Sequence, residues 1–227
     1  GKTFTGAHLI VALVKAGKRV GVTATAHKVI GNILDEVAEV ARQQDVPLVI
    51  GQKPSTDGEP THKPARNLRS AKDVATMLGL GVVQVVGGTA WTWAHDAVRD
   101  ALDVLVVDEA GQMSLANAVA VSGAARSLIL LGDPRQLEQP IQGLHPPGAD
   151  AAALEHFLGG HRTMPPELGL FIEVTHRLHP SIARFTSDVF YEGRLRAHPR
   201  TEAQRVGADA RDRKSTRLNS SHTDISR

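Results

Sequence analysis

VLVVDEAGQ, residues 104–112, is the stretch on which the fold turns. Its run of apolar residues leaves no side for solvent, so Val104–Asp108 reads as a strand buried on both faces, the signature of a parallel sheet. The strand delivers two adjacent carboxylates, Asp108 and Glu109, at its carboxyl end. The pattern recurs in SLILLGDPRQ, residues 127–136, where the apolar strand Ser127–Gly132 runs into Asp133. An alanine-rich segment, Leu115–Ala125, separates the two and reads as a helix.

Toward the N-terminus the alternation continues. Phe4–Ala16 sets Leu9, Ile10, Leu13 and Val14 at helical spacing and stops at Gly17, after which Arg19–Thr25 is a short β-branched run. Val29–Gln43 is predicted helical, Val46–Ile50 a strand, the proline-rich Gln52–Pro64 a surface loop, Arg66–Leu78 a helix, Val82–Val86 a strand and Trp91–Leu102 a helix. Such a chain predicts an α/β fold, a parallel sheet covered by helices on both faces. Ligands of these folds sit beyond the carboxyl ends of the strands. Four polar stretches fall there: TATAH (Thr23–His27), GGTAW (Gly87–Trp91), DEAGQ (Asp108–Gln112) and GDPRQ (Gly132–Gln136). Four such ends around one crevice are what a nucleotide site requires.

Gly1, Lys2 and Thr3 match the last three positions of the phosphate loop G-x-x-x-x-G-K-[ST], whose amides wrap phosphates, whose lysine reaches the β and γ groups and whose hydroxyl binds Mg²⁺. Alone, the tripeptide is equally an ordinary helix start. Asp108 can hold Mg²⁺ through its water shell, and Glu109 beside it can take a proton from the attacking water. The same pair could instead cap the following helix. Gln136 is long enough to reach a γ-phosphate, although Gly132-Asp133-Pro134 is also a good turn.

Composition sets the limits. The chain has 227 residues, 41% hydrophobic and 22% charged, the profile of a globular protein. No run of about eighteen apolar residues and no signal peptide is present, which excludes a membrane span and makes a cytoplasmic location the default. The absence of Cys removes disulfides, thiolate metal sites and cysteine nucleophiles. Residues 211–227 carry five of the 26 Lys and Arg and two of the 24 Asp and Glu, leaving 21 against 22 in residues 1–210. The basic balance therefore belongs to that tail, which reads as disordered, looks like translated adapter sequence, and is set aside from the fold.

GKT, VTATAHKVIGNIL, GGTAW, VVDEAGQ, LLGDPRQL and VTHRLHPSIARFTSDVFYEGRL follow one another in the order of the motifs of superfamily 1 helicases. The chain most resembles the 1B branch, and within it the helicase half of bacterial fusion proteins that carry a RecB-like nuclease upstream. The resemblance spans about residues 1–196. It implies a RecA-like P-loop NTPase domain over residues 1–172, whose first strand and loop front precede Gly1, and the start of a second RecA-like domain over 173–210. It further implies ATP and Mg²⁺ as cofactors, with Lys2 and Thr3 on phosphate and metal, Asp108 and Glu109 as the metal-holding and water-activating pair, and Gln136 as γ-phosphate sensor. Gln112 and Asp133, inside the matched motifs, are counted with the nucleotide-binding residues. Arg177, in THRLHP, would be the arginine that reaches the nucleotide from the second domain, worth about 10³ to 10⁵ in rate. Thr25, His27, Thr89 and Trp91 match segments that touch single-stranded DNA or RNA. Glu138, Gln139 and Pro140 depart from the family, which has two prolines after its Gln-Leu.

The implied activity is ATP-driven translocation or unwinding, 5′ to 3′. The alternatives are a nucleotide-gated clamp and an inactive fragment, and residues 1–227 alone are expected to be inactive. Trp91 and Trp93, two apart, allow at most one to stack on a base, the other packing in the core. His176 and His179 lack a third ligand for zinc. Lys53, His62 and Lys63 lie in a loop, Gln52–Pro64, that could graze a nucleic-acid backbone but is expected to be merely solvated, and Phe185, Phe190 and Tyr191 are expected to begin the core of the second domain.

Overall fold

The computed structural model describes residues 1–55, 58–135 and 151–205. Gln136 and the tail 211–227 lie outside the described residues. In chain order the first compact unit, which ends at Phe171, contains α1 (Lys2–Lys15), β1 (Val20–Thr23), α2 (His27–Gln43), β2 (Ile50–Gln52), β3 (Arg66–Asn67), α3 (Ala71–Gly79), β4 (Val85–Gly87), α4 (Ala90–Trp93), β5 (Leu102–Asp108), α5 (Leu115–Ser122), β6 (Ala125–Leu131) and α6 (Ala153–Leu158). The strands form one six-stranded sheet, ordered β3-β2-β4-β1-β5-β6, with every pairing parallel. This is the α/β architecture expected of a RecA-like P-loop domain.

Side chains alternate between the faces of a strand. Val104 and Val106 of β5, with Val20 and Val22 of β1, meet Ile10 and Val11 of α1 and Ile30, Ile33, Leu34 and Val37 of α2. Leu105 and Val86 face the opposite way, onto Val74 and Leu78 of α3, Trp93 and Val121. Each of these residues, removed from water, contributes roughly 1.5–3 kcal/mol. A smaller cluster at the carboxyl end of β5 joins Val107, Ala110, Met113, Ala118, Ala153 and Leu154. β6 is the outer strand, only partly covered, with Ile129 and Leu131 packed on the α1 side.

The strand predicted over Val82–Val86 runs instead from Val85 to Gly87, and three other predicted elements moved further. The second strand begins at Ile50, not Val46, because Pro47 offers no ladder donor and the Val49 amide is taken by the Gln84 side chain (2.8 Å). The helix predicted from Arg66 starts at Ala71, since Ser70 and Asp73 form a capping box and Arg66–Asn67 pairs with β2 as β3. The helix predicted over Trp91–Leu102 is broken. It stops at Trp93, a 3-10 turn capped by the His95 ring follows at Asp96–Val98, Asp100 turns left-handed (φ 55°), and Leu102 already belongs to β5.

A second compact unit begins at Ile172. In it β7 (Val174–Thr175) and β8 (Arg196–Ala197) pair in parallel across α7 (Pro180–Phe190), a small strand–helix–strand unit. Pro180 occupies the first turn of α7, and the ring of His179 accepts the Ser181 amide. The expectation that Phe185 and Phe190 build a core here is corrected: Phe185 is 67% exposed and Phe190 43%, and α7 buries Ala183 and Ser187 instead.

Candidate active site

Three segments far apart in sequence converge beyond the central strands. α1 opens at Lys2 with Gly1 as its N-cap, no side-chain cap and no acidic residue in its first turn, so its first amides and positive dipole end are not satisfied by a carboxylate of their own turn. β5 ends at Asp108, and Lys2 Nζ donates to Glu109 Oε2 at 3.0 Å, joining residues 107 positions apart. Both side chains of that pair remain about a quarter exposed, open to a ligand from solvent.

Asp108 is 3% exposed and accepts the Glu109 amide through Oδ1 at 3.0 Å. Burial pushes its carboxyl above the usual aspartate range; the Glu109 hydrogen bond opposes this, the neighbouring Glu109 charge adds to it, and Lys2 pulls it back. A buried carboxylate with this field is a natural partner for a hard cation such as Mg²⁺, and Thr3, one residue after Lys2, supplies a hydroxyl of the right kind on the same helix end. The residues present therefore fit the expected metal.

Glu109 adopts a left-handed backbone (φ 53°, ψ 42°), a conformation that costs a non-glycine residue about 1 kcal/mol. That turn bends the chain sharply out of β5 into a 3-10 turn, Ala110–Gln112, whose Gln112 amide bonds back to the Glu109 carbonyl at 2.8 Å. The turn rests on the loop after β6. A Cβ on Gly111 would lie 2.3 Å from the Asp133 carbonyl oxygen, and one on Gly132 would lie 2.7 Å from the Gly111 nitrogen. Two glycines thus let the DEAG and GDP turns touch backbone to backbone, and Asp133 is placed beside the Glu109 segment. Asp133 also accepts the Arg135 amide (3.0 Å), the tight turn expected of Gly-Asp-Pro.

The nucleic-acid candidates occupy the neighbouring strand ends. Thr25 and His27 follow β1, and Thr89, the N-cap of α4, follows β4. Trp91 is 89% exposed, whereas Trp93 is 1% exposed and donates its indole N–H to the carbonyls of Gly88 (3.0 Å) and Val22 (3.3 Å). One tryptophan packs and the other is available. Burial and the charge of Lys53 hold His27 below the usual histidine pKa. Arg177 lies in the second unit, exposed, its amide on Thr175 Oγ1. His176 stacks on His198 at 4.3 Å.

Sequence reasoning missed His62. Placed in a loop read as solvated, it is 3% exposed, its Nδ1 2.5 Å from Asp35 Oδ1 of α2, and its amide donates to Gln52 Oε1. Nothing in a proline-rich, polar segment signals a buried ring; the partner lies 27 positions away on another element.

Comparison with known proteins places these features in context. Residues 58–141 match the AAA domain family. The chain is 34% identical over 122 residues to the 5′-3′ DNA helicase ZGRF1 of Mus musculus, covering 50% of this chain and 6% of that protein. It is 29% identical over 128 residues to Helicase SEN1 of Saccharomyces cerevisiae, covering 53% and 5%. It is 27% identical over 179 residues to the DNA-binding protein SMUBP-2 of Rattus norvegicus, covering 72% and 18%. The chain thus spans less than a fifth of each of these relatives, and over half or more of its own length it is similar to two proteins named as helicases and one named as DNA-binding.

Proposed function

We propose that the polypeptide carrying this segment is an ATP-driven motor on single-stranded nucleic acid, a helicase or translocase. The observation that carries the proposal is the junction of Lys2 with Glu109 beside buried Asp108, three groups of the right chemistry brought together at the start of a helix and the end of a central strand. Lys2 and the first amides of α1 bind the phosphates. Asp108 and Thr3 would hold Mg²⁺, which when bound draws charge off the β and γ oxygens. The γ-phosphate competes with Glu109 for the Lys2 ammonium. Glu109, so released, accepts the proton of the water whose oxygen attacks phosphorus, while the bond to the bridging oxygen breaks and ADP leaves. Gln136 as γ-phosphate sensor and Arg177 as a nucleotide-contacting arginine belong to the same proposal, as do Gln112 and Asp133 as nucleotide-binding residues.

The strand ends after β1 and β4 serve the nucleic acid. Hydroxyls at Thr25 and Thr89 and the ring of His27 suit phosphate oxygens, contacts that position a strand without reading its sequence. The exposed ring of Trp91 suits base stacking, worth about 1–3 kcal/mol. A 5′ to 3′ direction is supported by the similarity to the mouse 5′-3′ DNA helicase ZGRF1. A strand before Gly1 lying along the open edge of β6, a nuclease farther upstream and a cytoplasmic location extend the proposal. The residues favouring the first are those of β6 itself, only partly covered. Among the described residues no helix is long and apolar enough to cross a membrane.

The test is Glu109→Gln in the full-length protein, with turnover measured in the presence of oligonucleotide and ATP affinity measured separately. Turnover should fall by at least about 10² while ATP still binds; robust turnover in the variant defeats the assignment. A forked-duplex assay then separates unwinding from a clamp that only binds.

A further inference from the structure

The loop after β2 is fastened down in a way that a solvated loop is not. Gln52, fully buried at the end of β2, uses both ends of its amide: Nε2 donates to Thr61 Oγ1 at 2.7 Å, and Oε1 accepts the His62 amide at 3.1 Å. Thr61 Oγ1 in turn donates to the His27 carbonyl (2.9 Å), at the start of α2. The buried His62 ring reaches Asp35 one further stretch along α2. α2 accepts the loop at this distance because residue 31 is glycine; a Cβ there would meet Thr61 Oγ1 at 2.5 Å. Four polar contacts and one close approach thus tie down the returning arm of the loop, two of the contacts to Gln52 of β2 and two to the helix that begins with His27.

The consequence falls on Lys53. It is the first residue past β2, half-buried, with its amide on the Gly87 carbonyl of β4 (2.9 Å). Its ammonium contacts the Pro54 carbonyl at 3.4 Å, and among the described residues no carboxylate pairs with it. Its charge is felt at His27, whose ring Nδ1 is buried without a hydrogen-bond partner. The lateral order β2-β4-β1 sets the ends of these strands side by side, about 4.8 Å apart. Lys53, then Thr89 and Trp91, then Thr25 and His27 therefore form one row along the carboxyl edge of the sheet. In that row Lys53 supplies a positive charge with no carboxylate of its own among the described residues.

We propose that Lys53 is a phosphate-binding residue for single-stranded nucleic acid, extending the row of strand-end contacts by one strand, and that the Gln52–Thr61–His62–Asp35 clasp is what positions it. The inference rests on the nucleic-acid reading above and adds to it a residue and the device that holds it. Lys53 binds a phosphate as a point charge, so its contribution is independent of base sequence and falls with salt.

The test is binding of fluorescein-labelled oligo-dT and of a mixed-sequence oligonucleotide to the full-length protein, across a salt series. Each phosphate contact to a single strand contributes about 0.7 to the slope of log Kobs against log salt. Lys53→Gln should weaken both oligonucleotides alike and lower the slope by about 0.7, and Lys53→Arg should restore it. Asp35→Asn, on a side chain largely exposed and not needed for the core, should lower the slope in the same direction, with no further loss when combined with Lys53→Gln. A salt slope unchanged by Lys53→Gln, while Trp91→Ala weakens binding, overturns the inference and leaves the nucleic-acid reading standing. Failure of the wild-type protein to bind either oligonucleotide overturns both.

Discussion

Replacing Gly111 by alanine tests whether the two turns of the site must touch. The added Cβ would stand 2.3 Å from the Asp133 carbonyl oxygen and 3.1 Å from its carbonyl carbon, where 3.0 Å is the practical lower limit, so the turns must part by at least 3.0 − 2.3 = 0.7 Å. No rotamer can absorb this, because the obstacle is main chain and Gly132 presses back from the other side, its own Cβ position 2.7 Å from the Gly111 nitrogen. Overpacking of this kind costs about 1–3 kcal/mol. The functional effect should be larger than the thermodynamic one. Glu109 and Asp133 sit on the two displaced turns, and a misplacement approaching 1 Å costs on the order of 10²-fold in rate. Gly79 is the control. It ends α3 with nothing within 4 Å of its Cβ position, so Gly79→Ala should stabilise by about 0.5–1 kcal/mol and leave turnover alone. Urea midpoints and oligonucleotide-stimulated ATP turnover of the full-length variants read both effects. A Gly111→Ala protein that unfolds at the wild-type midpoint and hydrolyses ATP normally refutes the account of the contact.

Asp108→Asn should raise the urea midpoint at neutral pH while removing Mg²⁺-dependent turnover. Burial holds the folded-state pKa of Asp108 above the ordinary 3.8, so the folded chain binds that proton more tightly than the unfolded one. The ionised group then opposes folding above the raised pKa, and the penalty fades as pH falls from there toward 3.8. The advantage of asparagine must shrink as pH is lowered; an advantage that grows on acidification sinks the argument. Ser70→Ala should cost about 1 kcal/mol, since it removes the oxygen that accepts the Asp73 amide at 3.1 Å and so one half of the capping box of α3. A urea midpoint unchanged from wild type would show that the box is idle.

The parallel sheet was legible because β5 carries its own proof: a buried apolar run needs cover on both sides, and only helices between strands supply it. The pairing of Lys2 with Glu109 was legible as a motif, though its geometry was not, since a hydrogen bond across 107 residues depends on strand order. Element boundaries were less visible. Pro47 and the Ser70–Asp73 pair were signals present in the sequence and outweighed there by apolar spacing, whereas the break after Trp93 answers to the sheet, which draws Leu102 into β5 beside Ala125. The clasp on His62 was invisible, because its partners come from β2, the loop and α2, and no local pattern marks a polar ring for burial. Phe185 misled for the opposite reason: an aromatic at helical spacing says that a face is apolar, and says nothing of what lies against it.

The two tryptophans, two positions apart, give the segment a built-in pair of optical probes. Trp93, sealed and hydrogen-bonded to the carbonyls of Val22 in β1 and Gly88, should emit toward the blue and ignore soluble quenchers, while Trp91 should emit toward the red and be extinguished by iodide. A strand of bases sliding over the α4 end would shade only the second lamp. The colour of the remaining light would then report occupancy of that edge with no label attached.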